Sequence, residues 1–299
     1  MCGIVGLHLR DRALYPRLGE LLTGMLDQMC DRGPDSAGMA VYGDPVWSPP
    51  GATTVSLLDC PMSAAELAEK LTEAVGMPVS AVDLTPTVLL HAALTAAELV
   101  AAVRNTAPGA RVIGFGADLA VLKGVGDPST LARGFGLPAA QGWQGVAHTR
   151  MATESAVTAE GSHPFSVGEG QCLVHNGSFS NHMSIRHELR RRGVEFDSDN
   201  DTEVGARFVA EQLAQGMDLE KALLLLNEEF DGFYTLLVST ADSFAVVRDA
   251  VACKPAVIAE TDRWVAMASE YRALAELPGV EQARIFEPEP EEVYVWRRS

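Results

Sequence analysis

The 299-residue sequence is short of basic residues, and this shortage limits the partners that the protein can have. Its 23 Lys and Arg stand against 40 Asp and Glu, which gives a formal net charge of −17. Nucleic acids and anionic membrane surfaces carry negative charge and are bound through basic patches. We therefore expect a protein that binds neither nucleic acid nor a membrane.

Long apolar runs and paired cysteines are also missing. No run approaches the roughly 20 apolar residues that a transmembrane helix requires, and the first residues lack the basic segment of a signal peptide. The five cysteines are scattered, without a CxxC pair that would indicate zinc, and their odd number does not fit a disulfide framework. These absences predict a cytoplasmic protein, whose hydrophobic content of 47 % is enough for a sizeable core.

The chain opens with MCGIVG, in which a cysteine directly follows the initiator methionine. Removal of Met1 would leave Cys2 with both a thiol and a free α-amine. An α-amine with a pKa of roughly 7.7–8.0 can take the thiol proton at neutral pH, so one residue would supply nucleophile and base. The apolar residues and glycines that follow predict a buried strand with the thiol at its end. The alternative interpretation is an ordinary buried cysteine.

Five short motifs follow Cys2 in order along the chain. They are RGPDSAG at 32–38, HTRMAT at 148–153, HPF at 163–165, HNG at 175–177 and NDTE at 200–203. In this order behind an N-terminal cysteine, they resemble the class II glutamine amidotransferases, which are N-terminal-nucleophile hydrolases. The resemblance covers residues 1–45 and about 145–275.

The resemblance implies an α+β fold, the four-layer αββα sandwich of N-terminal-nucleophile hydrolases. The residues alone also predict two β-rich runs separated by helices, because apolar positions at strand and helix spacing alternate along the chain. The helical patterns cover residues 16–31, 183–192, 202–215, 219–230 and 269–277.

Residues 46–144 are not explained by the resemblance, and we expect them to form an inserted α/β segment. The amidotransferase domain is then discontinuous and comprises residues 1–45 and 145–299. Ser63 and Thr95 each begin a Ser/Thr-Ala-Ala-Glu sequence after a strand-like run, which predicts two capped helices in repeated βα units. The segment carries no cluster of catalytic residue types, so we expect it to dock a partner, with passive packing on the core as the alternative.

Hydrolysis of a glutamine side-chain amide needs a nucleophile, donors for the oxyanion and groups that hold the amino-acid end. Asn176 and Gly177 suit the oxyanion, through a side-chain NH2 and a backbone N–H that no Cβ obstructs. The alternative interpretation of this Asn-Gly pair is a type I′ hairpin turn.

Arg150 can hold the α-carboxylate of glutamine through a bidentate fork, and Asp201 can pair with its α-ammonium. In the family, the positions that match Arg150 and Asp201 have these roles. The position matching Thr153 also contacts glutamine, and Gly33 matches a glycine close to the nucleophile. The alternatives are a structural ion pair for Arg150 and the N-cap of the following helix for Asp201.

Three histidines, His148, His163 and His175, fall within the motifs and could indicate a metal site or histidine-assisted catalysis. We expect them instead to form hydrogen bonds around the catalytic residues, because the family uses no metal in this half-reaction. No cofactor is expected in this chain.

The chain shows no synthase domain after residue 275, so the resemblance implies a separate synthase subunit that receives the ammonia. In size the chain is similar to the stand-alone amidotransferase subunits of glutamate-synthase-like systems, such as N-methylglutamate synthase. Any flavin or iron–sulfur cofactor would then belong to the partner. Two alternatives stay open, namely another N-terminal-cysteine amide hydrolase and a catalytically silent structural subunit. A helix with Arg186, Arg190, Arg191 and Arg192 is an alternative docking surface.

Overall fold

Two stacked antiparallel sheets form the centre of the computed structural model, which describes residues 2–151 and 157–298. The larger sheet has seven strands in the spatial order β14-β12-β13-β1-β8-β2-β7, and the smaller has four in the order β15-β11-β10-β9. The strands of the larger sheet are β1 (Gly3–Leu9), β2 (Ser36–Tyr42), β7 (Leu119–Val125), β8 (Gln144–Arg150), β12 (Val257–Glu260), β13 (Trp264–Ala268) and β14 (Arg284–Phe286). Those of the smaller sheet are β9 (Cys172–Phe179), β10 (Gly232–Ser239), β11 (Ser243–Arg248) and β15 (Val293–Arg297).

Helices cover the outer face of each sheet. α1 (Leu18–Asp27) and α4 (Pro128–Phe135) pack on the larger sheet, since their buried apolar residues share one core with those of β1 and β2. α5 (His182–Arg191), α6 (Asp201–Ala214) and α7 (Leu219–Glu229) pack on the smaller sheet around a second core. A third core fills the space between the sheets. This is the predicted αββα sandwich.

The sheets approach closely at the middle of β1. A Cβ added to Gly6 would lie 2.5 Å from Leu237 and 2.9 Å from Phe244, both on the facing sheet. Only glycine leaves room for these side chains, so Gly6 allows β1 to run through the middle of the sandwich.

The inserted segment contains a small unit of its own. Its strands are β3 (Thr53–Leu58), β4 (Val79–Leu84), β5 (Thr87–Ala92) and β6 (Arg111–Gly116), and its helices are α2 (Ala64–Val75) and α3 (Ala96–Thr106). The order along the chain is βαββαβ and the antiparallel sheet order is β4-β5-β3-β6, the split-βαβ arrangement. Both helices begin after the predicted caps: Ser63 accepts a hydrogen bond from Glu66 N, and Thr95 and Glu98 form a complete capping box.

The small unit ends earlier than the predicted boundary at residue 144. Residues 119–125 form β7, which pairs with β2 in the larger sheet, and α4 packs against α1. Strands β6 and β7 are consecutive in the chain but join different sheets, and local sequence does not encode which sheet edge a strand will pair with.

The predicted helix over 269–277 is also wrong, because only Tyr271–Ala273 form a single 3₁₀ turn. Glu270 is extended, and Pro278 and Gly279 follow too soon for a longer helix. Within residues 2–151 and 157–298, no helix combines the length and the apolar character needed to cross a membrane.

Candidate active site

Cys2 lies at the end of β1, between the neighbouring strands β8 and β13. The Gly3 amide donates to Thr149 Oγ1 at 3.1 Å, and the Ile4 amide donates to Ser269 Oγ at 2.9 Å. Arg150 is the last residue of β8, and it lies at the same end of the sheet as Cys2 because Gly3 pairs with Thr149. The strand register therefore brings Cys2, the predicted nucleophile, and Arg150, the predicted carboxylate-binding residue, to one end of the sandwich.

The thiol of Cys2 is surrounded by groups that favour its ionised form. The Met151 amide points at Cys2 Sγ, with 3.4 Å between N and S. Burial raises the pKa of the thiol. The hydrogen bond and charge of His148, together with the Met151 amide, outweigh burial and lower the pKa to about 7. A substantial fraction of Cys2 is consequently thiolate at neutral pH.

The hydrogen bonds of Asn176 fix which atom of its amide faces His148, and with it one protonated nitrogen of the ring. Asn176 Nδ2 donates to the Cys2 carbonyl oxygen at 3.2 Å, which can only accept, so the oxygen of the amide faces His148. His148 Nε2 lies 2.9 Å from that Oδ1 and must carry the proton. His148 Nδ1 is buried and has no hydrogen-bond partner among the described residues. The Cys2 thiol lies close enough to His148 for the ring to lower the pKa of the thiol.

His163 and His175 continue inward from His148 as a stack of buried rings. The ring centroids of His148 and His163 are 4.3 Å apart, and those of His163 and His175 are 6.3 Å apart. Thr202 Oγ1 lies 2.9 Å from His175 Nδ1 and 3.3 Å from His163 Nε2. Burial lowers the pKa of His163 well below its ordinary range and that of His175 to about 4, so both rings are neutral at pH 7. They are suited to packing and hydrogen bonding.

Asn176 and Gly177 lie within β9, paired with Thr235 and Tyr234 of β10, so the hairpin-turn alternative is wrong. Gly177 has φ +146°, and an added Cβ would lie 2.0 Å from the Phe233 carbonyl oxygen. Asn176 Nδ2 also donates to Ser269 Oγ at 3.3 Å. To bind an oxyanion, this NH2 group must give up at least one of its two present partners.

Arg150 is buried, and glycines make room on both sides of it. A Cβ added to Gly33 would lie 2.6 Å from the backbone carbons of Thr149 and Arg150, and one added to Gly161 would lie 3.2 Å from Arg150 Nη1. The Arg150 carbonyl accepts a hydrogen bond from Asp35 N at 3.1 Å. Gly33 therefore sits directly against the strand that carries the arginine.

Asp201 is the first residue of α6, and the predicted N-cap role is wrong by one position. Asn200 is the N-cap, with its side chain accepting from Thr202 N at 2.8 Å. Asp201 Oδ2 instead accepts from Phe179 N at 2.9 Å, at the end of the strand that carries Asn176. The carboxylate is half-buried and also acts on His175, whose pKa it raises against the effect of burial.

Several residues that form hydrogen bonds around Cys2 were not predicted from the sequence. The predicted site residue Thr153 lies outside the described residues. Arg32 Nε donates to the Cys2 carbonyl at 3.0 Å, and Arg32 forms an ion pair with Glu270. Ser269 and Thr149 receive the first amides of β1. Arg32 and Thr149 belong to recognised motifs and could have been found there. Ser269 carries no signal, since its partner Ile4 is 265 residues away.

Comparison with known proteins decides the family. The profile described as "Glutamine amidotransferase domain" matches residues 136–288. The chain is 49 % identical over 297 residues to the "Glutamine amidotransferase-like protein GlxB" of Rhizobium meliloti (strain 1021), covering 99 % of this chain and 98 % of that protein. The chain belongs to the class II glutamine amidotransferase family.

This amidotransferase has more distant relatives of greater length. It is 35 % identical over 136 residues to the glutamine–fructose-6-phosphate aminotransferase of Mycolicibacterium paratuberculosis, which covers 44 % of this chain and 22 % of that enzyme. The solved glutamine phosphoribosylpyrophosphate amidotransferase of B. subtilis covers all of this chain with a TM-score of 0.61 at 19 % identity, and the chain spans about half (49 %) of its length. That structure confirms the predicted N-terminal-nucleophile hydrolase fold.

Proposed function

We propose that this amidotransferase hydrolyses the side-chain amide of L-glutamine through a thioester on Cys2 and passes the ammonia to a separate synthase subunit. The observation that carries the proposal is the position of the Cys2 thiol at the start of β1, with the Met151 amide nitrogen 3.4 Å from its sulfur and with His148 beside it, both of which lower the pKa of the thiol. An ordinary buried cysteine has the opposite shift, as Cys172 does, where burial raises the pKa to about 12.

The reaction begins when the Cys2 sulfur attacks the amide carbon of glutamine. The thiol proton passes to a base, for which the site offers the α-amine of Cys2 after removal of Met1 and the Nδ1 of His148. Asn176 Nδ2 and the Gly177 N–H are the proposed donors to the tetrahedral oxyanion. Collapse returns the proton to the leaving nitrogen, ammonia departs, and water hydrolyses the thioester to glutamate.

The amino-acid end of glutamine is proposed to bind between Arg150, Asp201 and Thr153. The buried Arg150 guanidinium would hold the α-carboxylate, and the half-buried Asp201 carboxylate would hold the α-ammonium. An acyl substrate without charged ends would use neither group, so this pair favours glutamine over a general amide hydrolase.

The ammonia acceptor is proposed to lie on a glutamate-synthase-like partner, of the N-methylglutamate synthase type, which would carry any flavin or iron–sulfur cofactor. Support comes from the Rhizobium meliloti relative, which this chain matches over 98 % of its length, leaving no room there for a fused synthase domain. A catalytically silent structural subunit is the second candidate.

The small unit of residues 53–116 is the proposed docking surface for that partner. The alternative, the arginine helix α5, is weakened by its contacts. Arg186 is buried and donates to the carbonyl oxygens of Ser198 and Asn200, and Arg192 pairs with Glu211 at 2.9 Å. Arg190 also lies over the Phe196 ring, 5.6 Å from its centroid, so at least three of the four arginines already have partners within the described residues.

Alkylation with and without glutamine tests the proposal on the isolated protein. Intact mass should show that the mature chain begins at Cys2, and iodoacetamide should modify Cys2 at neutral pH more slowly when glutamine is present. Cys253→Ser is the matched control, because Cys253 is exposed. Glutamine hydrolysis by Cys2→Ala at the wild-type rate would exclude the mechanism, and a wild type that neither hydrolyses nor binds glutamine would favour the silent subunit.

A further inference from the structure

A second cavity lies at the seam between the small unit and the sandwich, apart from the Cys2 site. Its volume is about 390 Å³, within the range of small-molecule sites. The small unit contributes the end of α3 and the first residues of β6, and the sandwich contributes residues from β7, from 165–167 and from the turn before α6. Cys2, Arg150, Asn176 and Asp201 do not line it.

Lys123 forms the buried wall of this cavity, and its charge has no direct ion-pair partner among the described residues. It is 2 % exposed, its ammonium lies 4.7 Å from the ring centroid of Phe165, and it donates to the Glu160 carbonyl at 3.4 Å. Within the described residues, no carboxylate oxygen comes within ion-pair distance of its Nζ. Burial lowers the pKa of Lys123 to about 8, which shows how poorly the charge is solvated.

Two of the three carboxylates that line the cavity are engaged by other groups at short distances. Glu203 accepts from the amides of Asp197 and Ser198 and pairs with Arg207 at 3.0 Å. Asp197 also pairs with Arg207, at 2.6 Å. The third, Glu160, lies 4.0 Å from Arg111 Nη1, so the buried charge that faces the cavity is the ammonium of Lys123.

Two further lining residues complete the site. Ser166 Oγ is buried beside the Cys172 thiol, a weak partner, and has no oxygen or nitrogen partner among the described residues. Buried hydroxyls are almost always hydrogen-bonded, so such a group indicates a missing ligand atom or water. Arg104 is exposed at the rim, and no ion pair of Arg104 occurs within residues 2–151 and 157–298.

We propose that this seam cavity is a binding site for a small organic anion. The carboxylate or phosphate of the ligand would bind Lys123 and Ser166 Oγ, and its apolar part would pack against Phe165, Val112 and Val167. Arg104 would supply a second, solvent-screened charge at the entrance. The seam cavity takes no part in the proposed hydrolysis of glutamine. It does adjoin the histidine stack, because the ring of Phe165 meets that of His163 edge-on, with ring centroids 5.3 Å apart.

Calorimetric titration with benzoate and phenyl phosphate, and with benzamide as the neutral analogue of benzoate, tests the proposal on the full chain. Both anions should bind the wild type saturably, and Lys123→Met should weaken them by roughly tenfold or more, the effect expected for loss of a charge-assisted hydrogen bond. Lys70→Met is the matched control, because Lys70 lies exposed on α2 and should leave binding unchanged. Benzamide should bind no better to the wild type than to Lys123→Met.

The proposal is overturned if Lys123→Met binds either anion as tightly as the wild type, if benzamide binds as well as benzoate, or if neither anion shows saturable binding. Circular dichroism and thermal melting establish that the variant is folded. Should Lys123→Met fail to fold, Lys123→Gln and Ser166→Ala provide the same comparison, with the larger loss expected for Lys123→Gln.

Discussion

His148 lies beside the Cys2 thiol and lowers its pKa, while His148 Nε2 donates a hydrogen bond to Asn176 Oδ1 at 2.9 Å. The same Asn176 amide donates to the Cys2 carbonyl, so the residue proposed to bind the oxyanion also orients the ring beside the nucleophile. The site therefore has a second group besides the α-amine that can receive the thiol proton.

Replacing His148 should raise the pKa of Cys2, because His148 is the main group that lowers it against burial. We expect His148→Asn to shift the pH profile of iodoacetamide alkylation upward by about one unit, with a roughly fivefold lower rate at pH 7 that recovers at higher pH. His187→Asn, on the exposed face of α5, is the control. An unshifted profile would show that His148 does not act on the thiol.

Arg150→Lys should weaken glutamine binding, since a point charge replaces a planar fork. We expect KM for glutamine to rise by roughly tenfold with a smaller change in kcat, as for an interaction made equally in ground and transition states. Steady-state kinetics measure both constants. Asp201→Asn should behave likewise, and an unchanged KM in either variant would remove that residue from the proposed site.

Gly177→Ala should destabilise the fold, because the added Cβ would collide with the Phe233 carbonyl oxygen. The backbone of Gly177 also has φ +146°, which L-residues with a side chain rarely adopt. Strain of this kind costs on the order of 1–3 kcal/mol, so thermal melting should show a Tm lower by several degrees. Gly24→Ala is the matched control, since its Cβ would meet nothing within 4 Å in the middle of α1 and should be neutral or stabilising. A Tm of Gly177→Ala equal to that of the wild type would contradict the described strand pairing.

The buried histidines should make the protein acid-sensitive. The pKa of His175 falls from 6.5 to about 4 on folding, so the unfolded chain takes up the proton first as the pH drops. The contribution of neutral His175 to the free energy of unfolding is on the order of 3 kcal/mol. It is fully present above pH 6.5 and is lost progressively as the pH falls to about 4.

Urea unfolding at pH 7.5 and pH 5 measures this loss. The fall in the free energy of unfolding between the two should be smaller in His175→Gln than in the wild type or in His187→Gln. Equal pH dependence in all three proteins would show that His175 is not buried in its neutral form.

The sandwich could be predicted from the sequence because its signals are local, and the roles given to the site residues rest on equally local motifs and stay predictions. Cys2 and the motifs carrying Arg150 and Asn176 are each contiguous, and the helix caps at Ser63 and Thr95 act within four residues. What it did not predict depends on contacts between distant segments. Residues 119–125 join the larger sheet because β2 offers an edge.

The same holds for Ser269, which receives the amide of Ile4 from the far end of the chain. The function of Asn176-Gly177 was ambiguous for a related reason. The pair favours a turn on its own, and only the pairing of β9 with β10 places it in a strand.

Acid-quenched mass spectrometry of the enzyme mixed with glutamine tests the central claim most directly. The account predicts that a fraction of the wild-type protein gains one γ-glutamyl group, and that peptide mapping places it on Cys2. Cys2→Ala should show neither the adduct nor glutamate formation. Glutamate formation by Cys2→Ala, or a γ-glutamyl group on any other residue, would contradict the assignment of Cys2 as the nucleophile.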